Sequence, residues 1–273
     1  MDAEQLKPGD HHYQAYVGPP GQYDFMGASQ FRLLTSLGLR AGHNVLDFGC
    51  GSLRAGRFLI AYLEKGRYFG IEPNAWLIDE AVKLEIGADL VRIKKPRFDH
   101  NSDFAADVFH VDFDYILAQS VFSHAGPDLV QAGLQSFRDA LKPRGLIAAT
   151  FVEGDEDCCQ QGWVYPDCVA YRPQTIHSMA QTAGLSCRRI PWYHPRQAWY
   201  VLARDKHVLP SSRDMRYLRG EVLNDPEFAP SLEEEPESTQ RIKAWTKKVL
   251  PQAWVQKLAG VKAMRKTKRR QKS

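Results

Sequence analysis

The sequence predicts a doubly wound α/β fold: a mostly parallel sheet with a final antiparallel strand, preceded by an N-terminal lid and followed by a basic helical C-terminal extension. Three observations carry this. Between about residues 40 and 205, short apolar runs alternate with amphipathic stretches of helical spacing. The runs are apolar throughout, as strands covered on both faces must be. The last two runs are joined by a loop alone, Pro-Trp-Tyr-His-Pro-Arg-Gln, which suits an antiparallel pair.

Taken in order, Asn44–Phe48 is a short strand ending in glycine. Ser52–Lys65 carries Phe58, Leu59, Tyr62 and Leu63 at helical spacing. Tyr68–Ile71 is a second strand, ending at Glu72-Pro73-Asn74, and Ala75–Ile86 a helix with Leu77, Ile78, Ala81, Val82 and Leu84 clustered. A third strand is expected before the loop at Asn101. Phe113–Gln119 is a buried strand. Asp128–Leu141 is an amphipathic helix stopped by Lys142-Pro143 and followed by the turn Arg144-Gly145. Leu146–Val152 is another strand, and Gln174–Ala183 a helix ending at Gly184. Ser186–Ile190 and Ala198–Ala203 complete the sheet.

Composition bounds the rest. The chain has 273 residues, 44% hydrophobic and 25% charged, as globular proteins have. No apolar run approaches the roughly 18 residues that span a bilayer. The polar N-terminus gives no secretory signal, and five irregularly spaced cysteines argue for a reducing, cytoplasmic setting. Charge is divided unevenly. From Gln240 onward there are twelve Lys or Arg and no acid; before it the formal charge is −8. The expected organisation is therefore a lid or cap at 1–30, a core domain at 31–205, a polar linker at 206–239 and a basic helical tail at 240–273. Trp245 and Trp254 fall at helical positions in that tail, whose charge favours an anionic membrane, at its inner face, or nucleic acid.

The strongest local signal is a strand, a glycine-rich turn and a helix, Val-Leu-Asp-Phe-Gly-Cys-Gly-Ser-Leu-Arg-Ala-Gly-Arg, residues 45–57. Such a turn lets a ligand lie against bare backbone. The dinucleotide pattern Gly-x-Gly-x-x-Gly fails, because Arg54 stands at its third glycine. Asp47, two residues before Gly49, repels a pyrophosphate but accepts from an ammonium group. Glu72, at the end of the second strand, is placed for ribose hydroxyls. These features suit a nucleoside bearing an amino acid.

The ordered series VLDFGCG, YFGIEPN, FDYILAQSVFSH and LKPRGLIAATF resembles class I S-adenosylmethionine-dependent methyltransferases over about residues 30–205. With YVGPP, LLTSLGLR and GCGSLRAGR, the fuller pattern is similar to bacterial members of unassigned substrate. The family's third glycine of Gly-x-Gly-x-Gly is replaced by Leu53. The resemblance implies a Rossmann-like fold and S-adenosylmethionine as cofactor. It implies that Asp47, Gly49 and Gly51 line the methionine moiety, with Cys50 a small space-filling residue of the same cofactor-binding turn, and that Glu72 holds the ribose. Pro73 and Asn74 would shape the adenine edge. Asp103 would accept from the adenine amine, Phe104 would pack on the ring, and Gln119 and Ser120 would lie beside the sulfonium.

Transfer to a hydroxyl needs a base at the strand ends facing the cofactor. His124, just past the fourth strand, and His194, between the last two, are the candidates. His11 and His12, with Tyr13, Tyr16 and Tyr23, are placed to close a lid. Cys158, Cys159, Cys168 and His177 lack metal-site spacing, and no metal is expected. Trp163, Tyr165, Trp192 and Tyr193 are expected around the mouth, suiting a sugar or aromatic acceptor, with small molecules and glycans ahead of RNA or protein. Two alternatives remain: a nucleic-acid- or membrane-binding module with a degenerate site, and a nicotinamide oxidoreductase, which Arg54 disfavours.

Overall fold

The structure is a computed structural model, and residues 6–219 are described. The basic tail at 240–273 and most of the expected linker lie outside the described residues. The strands are β1 (Val45–Phe48), β2 (Tyr68–Ile71), β3 (Arg97–Asp99), β4 (Phe113–Ala118), β5 (Leu141–Glu153), β6 (Ala170–Tyr171), β7 (Ser186–Ile190) and β8 (Ala198–Ala203). They form one sheet in the order β3-β2-β1-β4-β5-β8-β7, with β6 paired to β5 off this path. The β3-to-β5 portion is parallel. β8 is antiparallel to both β5 and β7, as the loop-only connection requires.

Period-2 alternation sorts each strand between two cores. Leu46, Ile116, Ile147, Ala149, Tyr200 and Leu202 face one cluster. Val45, Tyr115, Leu117, Ala148, Trp199 and Val201 face the other. The helices α6 (Pro127–Ala140) and α7 (Pro173–Thr182) cover the first face through Leu134, Phe137 and Ile176. The helices α2 (Tyr23–Ser36), α3 (Gly56–Tyr62) and α4 (Ala75–Ala81) cover the second through Leu33, Leu59 and Ile78.

Several elements differ from expectation. The helix expected at 52–65 starts only at Gly56, because residues 52–55 extend the glycine turn, with Leu53 at φ 56°. The Lys142–Gly145 turn forms inside β5, as a bulge between the pairs Phe113–Leu141 and Tyr115–Leu146. The expected 75–86 helix is α4 followed by a π-helical turn, Val82–Ile86, which leaves Leu84 exposed instead of clustered with Leu77, Ile78 and Ala81. An additional helix, α5 (Ala88–Lys94), carries no wide apolar stripe and leaves Ile93 exposed. The lid begins with α1 (Tyr13–Tyr16), but the expected lid residues from Tyr23 onward already belong to α2, whose Tyr23, Met26, Leu33 and Leu34 are buried. The opening of the expected linker packs on the second core, where Leu218 is buried.

Candidate active site

A cavity of about 840 Å³ opens at the carboxyl ends of β1, β2 and β4. Strand order reverses between β1 and β4, the switch point where doubly wound sheets take ligands. The glycine turn forms its floor. Gly49 and Gly51 hold φ 69° and 53°, and a Cβ on either would stand 2.6 Å from a valine methyl, Val121 or Val17. Leu53, at the family's third glycine, is also left-handed and fully buried. Such a conformation costs a leucine about 1–2 kcal/mol, which burial of its side chain more than offsets.

The two acids flank this turn. Asp47 is 3% exposed and its Oδ2 accepts from Tyr68 Oη at 2.8 Å. Burial pushes its carboxyl up to about 6, against the pull of the Tyr68 hydroxyl and the Arg54 guanidinium. Glu72 Oε2 accepts from Gly51 N at 3.1 Å, and its Oε1 from Asn74 N and Nδ2 at 3.0 and 2.8 Å. Three of a carboxylate's roughly four acceptor sites are thus taken, leaving room for a hydroxyl donor.

At the end of β4, Ser120 N donates to Thr150 Oγ1 at 2.8 Å, and Ser120 Oγ accepts from Gln197 Nε2 at 3.1 Å. His124 closes a one-turn helix, Phe122–His124, at the cavity wall. Its Nδ1–H donates to the Asp167 carbonyl at 2.7 Å, which leaves the Nε2 lone pair free. Burial lowers its pKa below the usual 6.5, so the ring is neutral at pH 7. Trp163 and Tyr165 stand around it, with ring centroids 5.8 and 5.1 Å away.

Of the sequence-predicted site residues, Asp47, Gly49, Cys50, Gly51, Glu72, Pro73, Asn74, Phe104, Gln119, Ser120 and His124 line this cavity. Asp103 and His194 do not. Phe104 takes φ 63°, which turns its ring inward and leaves Asp103 exposed on the outer side; Asn101 and Ser102 line the cavity instead. His194 is a scaffold residue. Its Nδ1 accepts from Arg196 N and Gln197 N at 3.2 and 3.0 Å, so the proton sits on Nε2, 3.4 Å from the Gln119 amide. Turning that amide brings its oxygen to the ring and satisfies an otherwise partnerless Oε1. Burial, with Arg54 and Arg196 nearby, pushes His194 down to about 3, too low for a base at neutral pH. Trp192, expected at the mouth, is buried and donates from Nε1 to Ser29 Oγ at 2.9 Å; neither it nor Tyr193 lines the cavity.

The lid covers this site. His11 stacks on Trp76 at 4.3 Å, Tyr16 meets Trp76 edge-on at 5.4 Å, and Tyr16 lies 5.6 Å from Tyr165. Tyr13 Oη donates to Glu85 Oε1 at 2.8 Å, and Arg57 Nη1 to Glu85 Oε2 at 3.1 Å. His12 accepts from Gln14 N, capping α1. Tyr23 is core, donating to the Ser52 carbonyl at 2.7 Å. Gln30, Arg196 and Gln197 also line the cavity. No local pattern marks them, since Gln30 lies inside a helix and the others in a short connection. Among the described residues, no cluster of three or more His, Cys, Asp or Glu is arranged for a metal. No helix among them is long and apolar enough to cross a membrane.

A family model described as a methyltransferase domain matches residues 46–147. Solved structures agree at the level of fold. The CcbJ methyltransferase of Streptomyces caelestis is 17% identical with a TM-score of 0.52, over 68% of this chain and 97% of that one. The magnesium protoporphyrin IX methyltransferase of Synechocystis PCC 6803, solved with bound S-adenosylmethionine, is 16% identical with a TM-score of 0.51, over 68% and 80%. The glycopeptide N-methyltransferase MtfA, also complexed with S-adenosylmethionine, is 12% identical with a TM-score of 0.51, over 66% and 94%. Strand order and the matched segment agree: residues 46–147 match a methyltransferase domain, within the Rossmann-like fold that these solved methyltransferases share.

Proposed function

We propose that this chain transfers the methyl group of S-adenosylmethionine to a hydroxyl on a small ring-bearing molecule or glycan. The carrying observation is His124: a neutral imidazole with Nδ1 tied to a carbonyl and Nε2 free, in the wall of the cavity that Asp47 and Glu72 flank. The donor set fits the cofactor. Asp47 meets an ammonium group, Glu72 a ribose hydroxyl, the bare backbone at Gly49 and Gly51 the chain between them, and Phe104 an adenine ring. Bound there, S-adenosylmethionine supplies an electrophilic methyl on a sulfonium whose departure leaves a neutral thioether.

The chain's own residues then have two tasks. Gln119 and Ser120 hold the reacting end at the tip of β4, and Trp163 and Tyr165 present faces on which a ring stacks. His124 Nε2 takes the hydroxyl proton as the oxygen attacks. The nitrogen acceptor implied by the name of MtfA is the other acceptor chemistry to test. A nicotinamide dinucleotide fits less well, because its pyrophosphate would lie against Asp47. From the sequence alone, the twelve bases of 240–273 support contact with an anionic membrane, or failing that nucleic acid. Vesicle flotation of full-length and truncated protein at low and high salt tests this.

The catalytic reading is tested with S-adenosylmethionine labelled in its methyl group and a panel of phenols, glycosides and amines. Label entering hydroxylated rings, and lost in His124→Ala with cofactor affinity intact, is the expected result. Transfer to amines only, unaffected by His124→Ala, would replace it.

A further inference from the structure

One side chain touches both the lid and His124. Tyr165 stands in the connection between β5 and β6, and its ring meets His124 edge-on, with centroids 5.1 Å apart. The same ring meets the lid at two points. Tyr16 lies 5.6 Å from it, and the Tyr165 hydroxyl is 3.4 Å from where a Cβ on Gly9 would stand. Gly9 N donates to the Ala15 carbonyl at 2.8 Å, so both points belong to one folded piece of the lid. Trp76 meets Tyr16 edge-on at 5.4 Å and steadies that piece from α4.

The backbone around Tyr165 holds His124 twice more. Val164 N donates to the His124 carbonyl at 2.8 Å, and the Asp167 carbonyl accepts from His124 Nδ1 at 2.7 Å. Asp167 N donates to the Val164 carbonyl at 2.9 Å, closing residues 164–167 into one turn with Tyr165 at its second position. A shift of Tyr165 therefore moves the carbonyl that decides which nitrogen of His124 carries the proton. The start of this segment is tethered separately: Trp163 bridges to Ala125, and Gly162 N donates to Asp128 Oδ1 at 2.9 Å. The 164–167 turn is thus the part that contact with the lid biases. The element with two states is the imidazole itself, whose proton sits on either nitrogen.

We infer that Tyr165 is a positioning residue that couples closure of the lid to the tautomer of His124, so that the base is set only once the cofactor is covered. The inference rests on the methyltransferase reading with His124 as its base, and adds a regulation to that site. Its consequence is an order of events: the cofactor binds and the lid settles before an acceptor hydroxyl gives up its proton.

No acceptor is needed to test this. Full-length protein, isotope-labelled in its histidine ring nitrogens, is saturated with S-adenosylhomocysteine. The His124 resonances, identified by their loss in His124→Ala, report the tautomer by NMR. The wild type is expected to show the Nδ1–H form alone. Tyr16→Ala, which alters the lid and no residue of the turn, is expected to show both tautomers in exchange, and so is Tyr165→Leu. Tyr165→Phe, which keeps the ring, should bring back the single form. By reciprocity, calorimetry should find S-adenosylhomocysteine weakened about fivefold or more in Tyr16→Ala and in Tyr165→Leu, with the double variant losing less than the product of the two. If Tyr165→Leu does not fold, the tautomers of Tyr16→Ala and Tyr165→Phe decide. Both tautomers in the wild type, a single tautomer in folded Tyr16→Ala, or losses that multiply in the double variant overturn the coupling and leave the methyltransferase reading standing. A folded wild type that does not bind S-adenosylhomocysteine overturns that reading as well.

Discussion

Val17 of the lid lies over Gly51 of the glycine turn, so closely that a Cβ added to Gly51 would stand 2.6 Å from Val17 Cγ1. The cofactor floor and the segment that covers it are therefore one packed unit. Gly51→Ala adds this clash to a left-handed φ of 53°. It is expected to cost about 1–3 kcal/mol of stability and to weaken S-adenosylhomocysteine. Val17→Ala in the same chain should recover part of the loss, read as a coupling in a double-mutant cycle of melting temperatures. Additive losses would show that the contact does not matter.

The lid is held at its other side by Glu85, which accepts from Tyr13, Gln14 and Arg57. Glu85→Ala leaves Arg57 with Asp24 alone and frees Tyr13. The expected outcome is faster proteolysis within residues 6–22 and a faster cofactor off-rate, with a modest stability loss of about 1 kcal/mol. Stopped-flow release and limited proteolysis check it. An unchanged off-rate would mean that the lid does not gate the site.

Asp47 sets a pH dependence. Its folded-state pKa is about 6 against an ordinary 3.8, so the folded chain binds this proton more tightly than the unfolded one. Stability is thus undiminished below about pH 4 and falls as pH rises to about 6, by roughly 3 kcal/mol in all. Asp47→Asn, which still accepts from Tyr68, should remove that slope in urea titrations of the apo protein. Cofactor affinity runs the other way. An ammonium group needs the ionised carboxylate, so S-adenosylhomocysteine should bind more weakly below about pH 6, and this dependence too should vanish in the variant.

On the proposed mechanism, His124 sets the acid limb of turnover. Its pKa is lowered from 6.5 by burial, and only the neutral ring takes a proton. Turnover should stay level from neutral pH down to a value below 6.5 and then fall. His124→Ala should lose about 10²- to 10⁴-fold in kcat with little change in cofactor affinity. Equal losses in affinity and turnover would assign His124 to the cofactor pocket.

The parallel strands and the glycine turn were legible because each is a local pattern: an apolar run, then Gly-Cys-Gly, then helical spacing. The antiparallel β8 was legible from the brevity of its connection. What escaped depends on tertiary contacts. Leu53 keeps the turn left-handed without a glycine because its buried side chain outweighs the strain. Phe104 faces the cavity as expected while Asp103 is turned outward at one positive φ, which an ordinary Asp-Phe pair does not announce. His124 and His194 are alike as sequence. They part because one nitrogen of His124 is left free, whereas both nitrogens of His194 face groups of its own and neighbouring loops. Arg54 read as an obstacle to a pyrophosphate, whereas its fold neighbours place it in the cavity wall, donating to the Val17 carbonyl at 2.8 Å.

Binding of S-adenosylhomocysteine by calorimetry, with NAD as the control, tests the central claim most directly. The wild type should bind one equivalent of S-adenosylhomocysteine and no NAD, and ligand at 100 times Kd should add about 2.7 kcal/mol to stability. Glu72→Ala, which removes the proposed ribose partner, should weaken binding by about 1–3 kcal/mol. A folded wild type that gives neither heat nor a thermal shift with millimolar S-adenosylhomocysteine, or that prefers NAD, would contradict it.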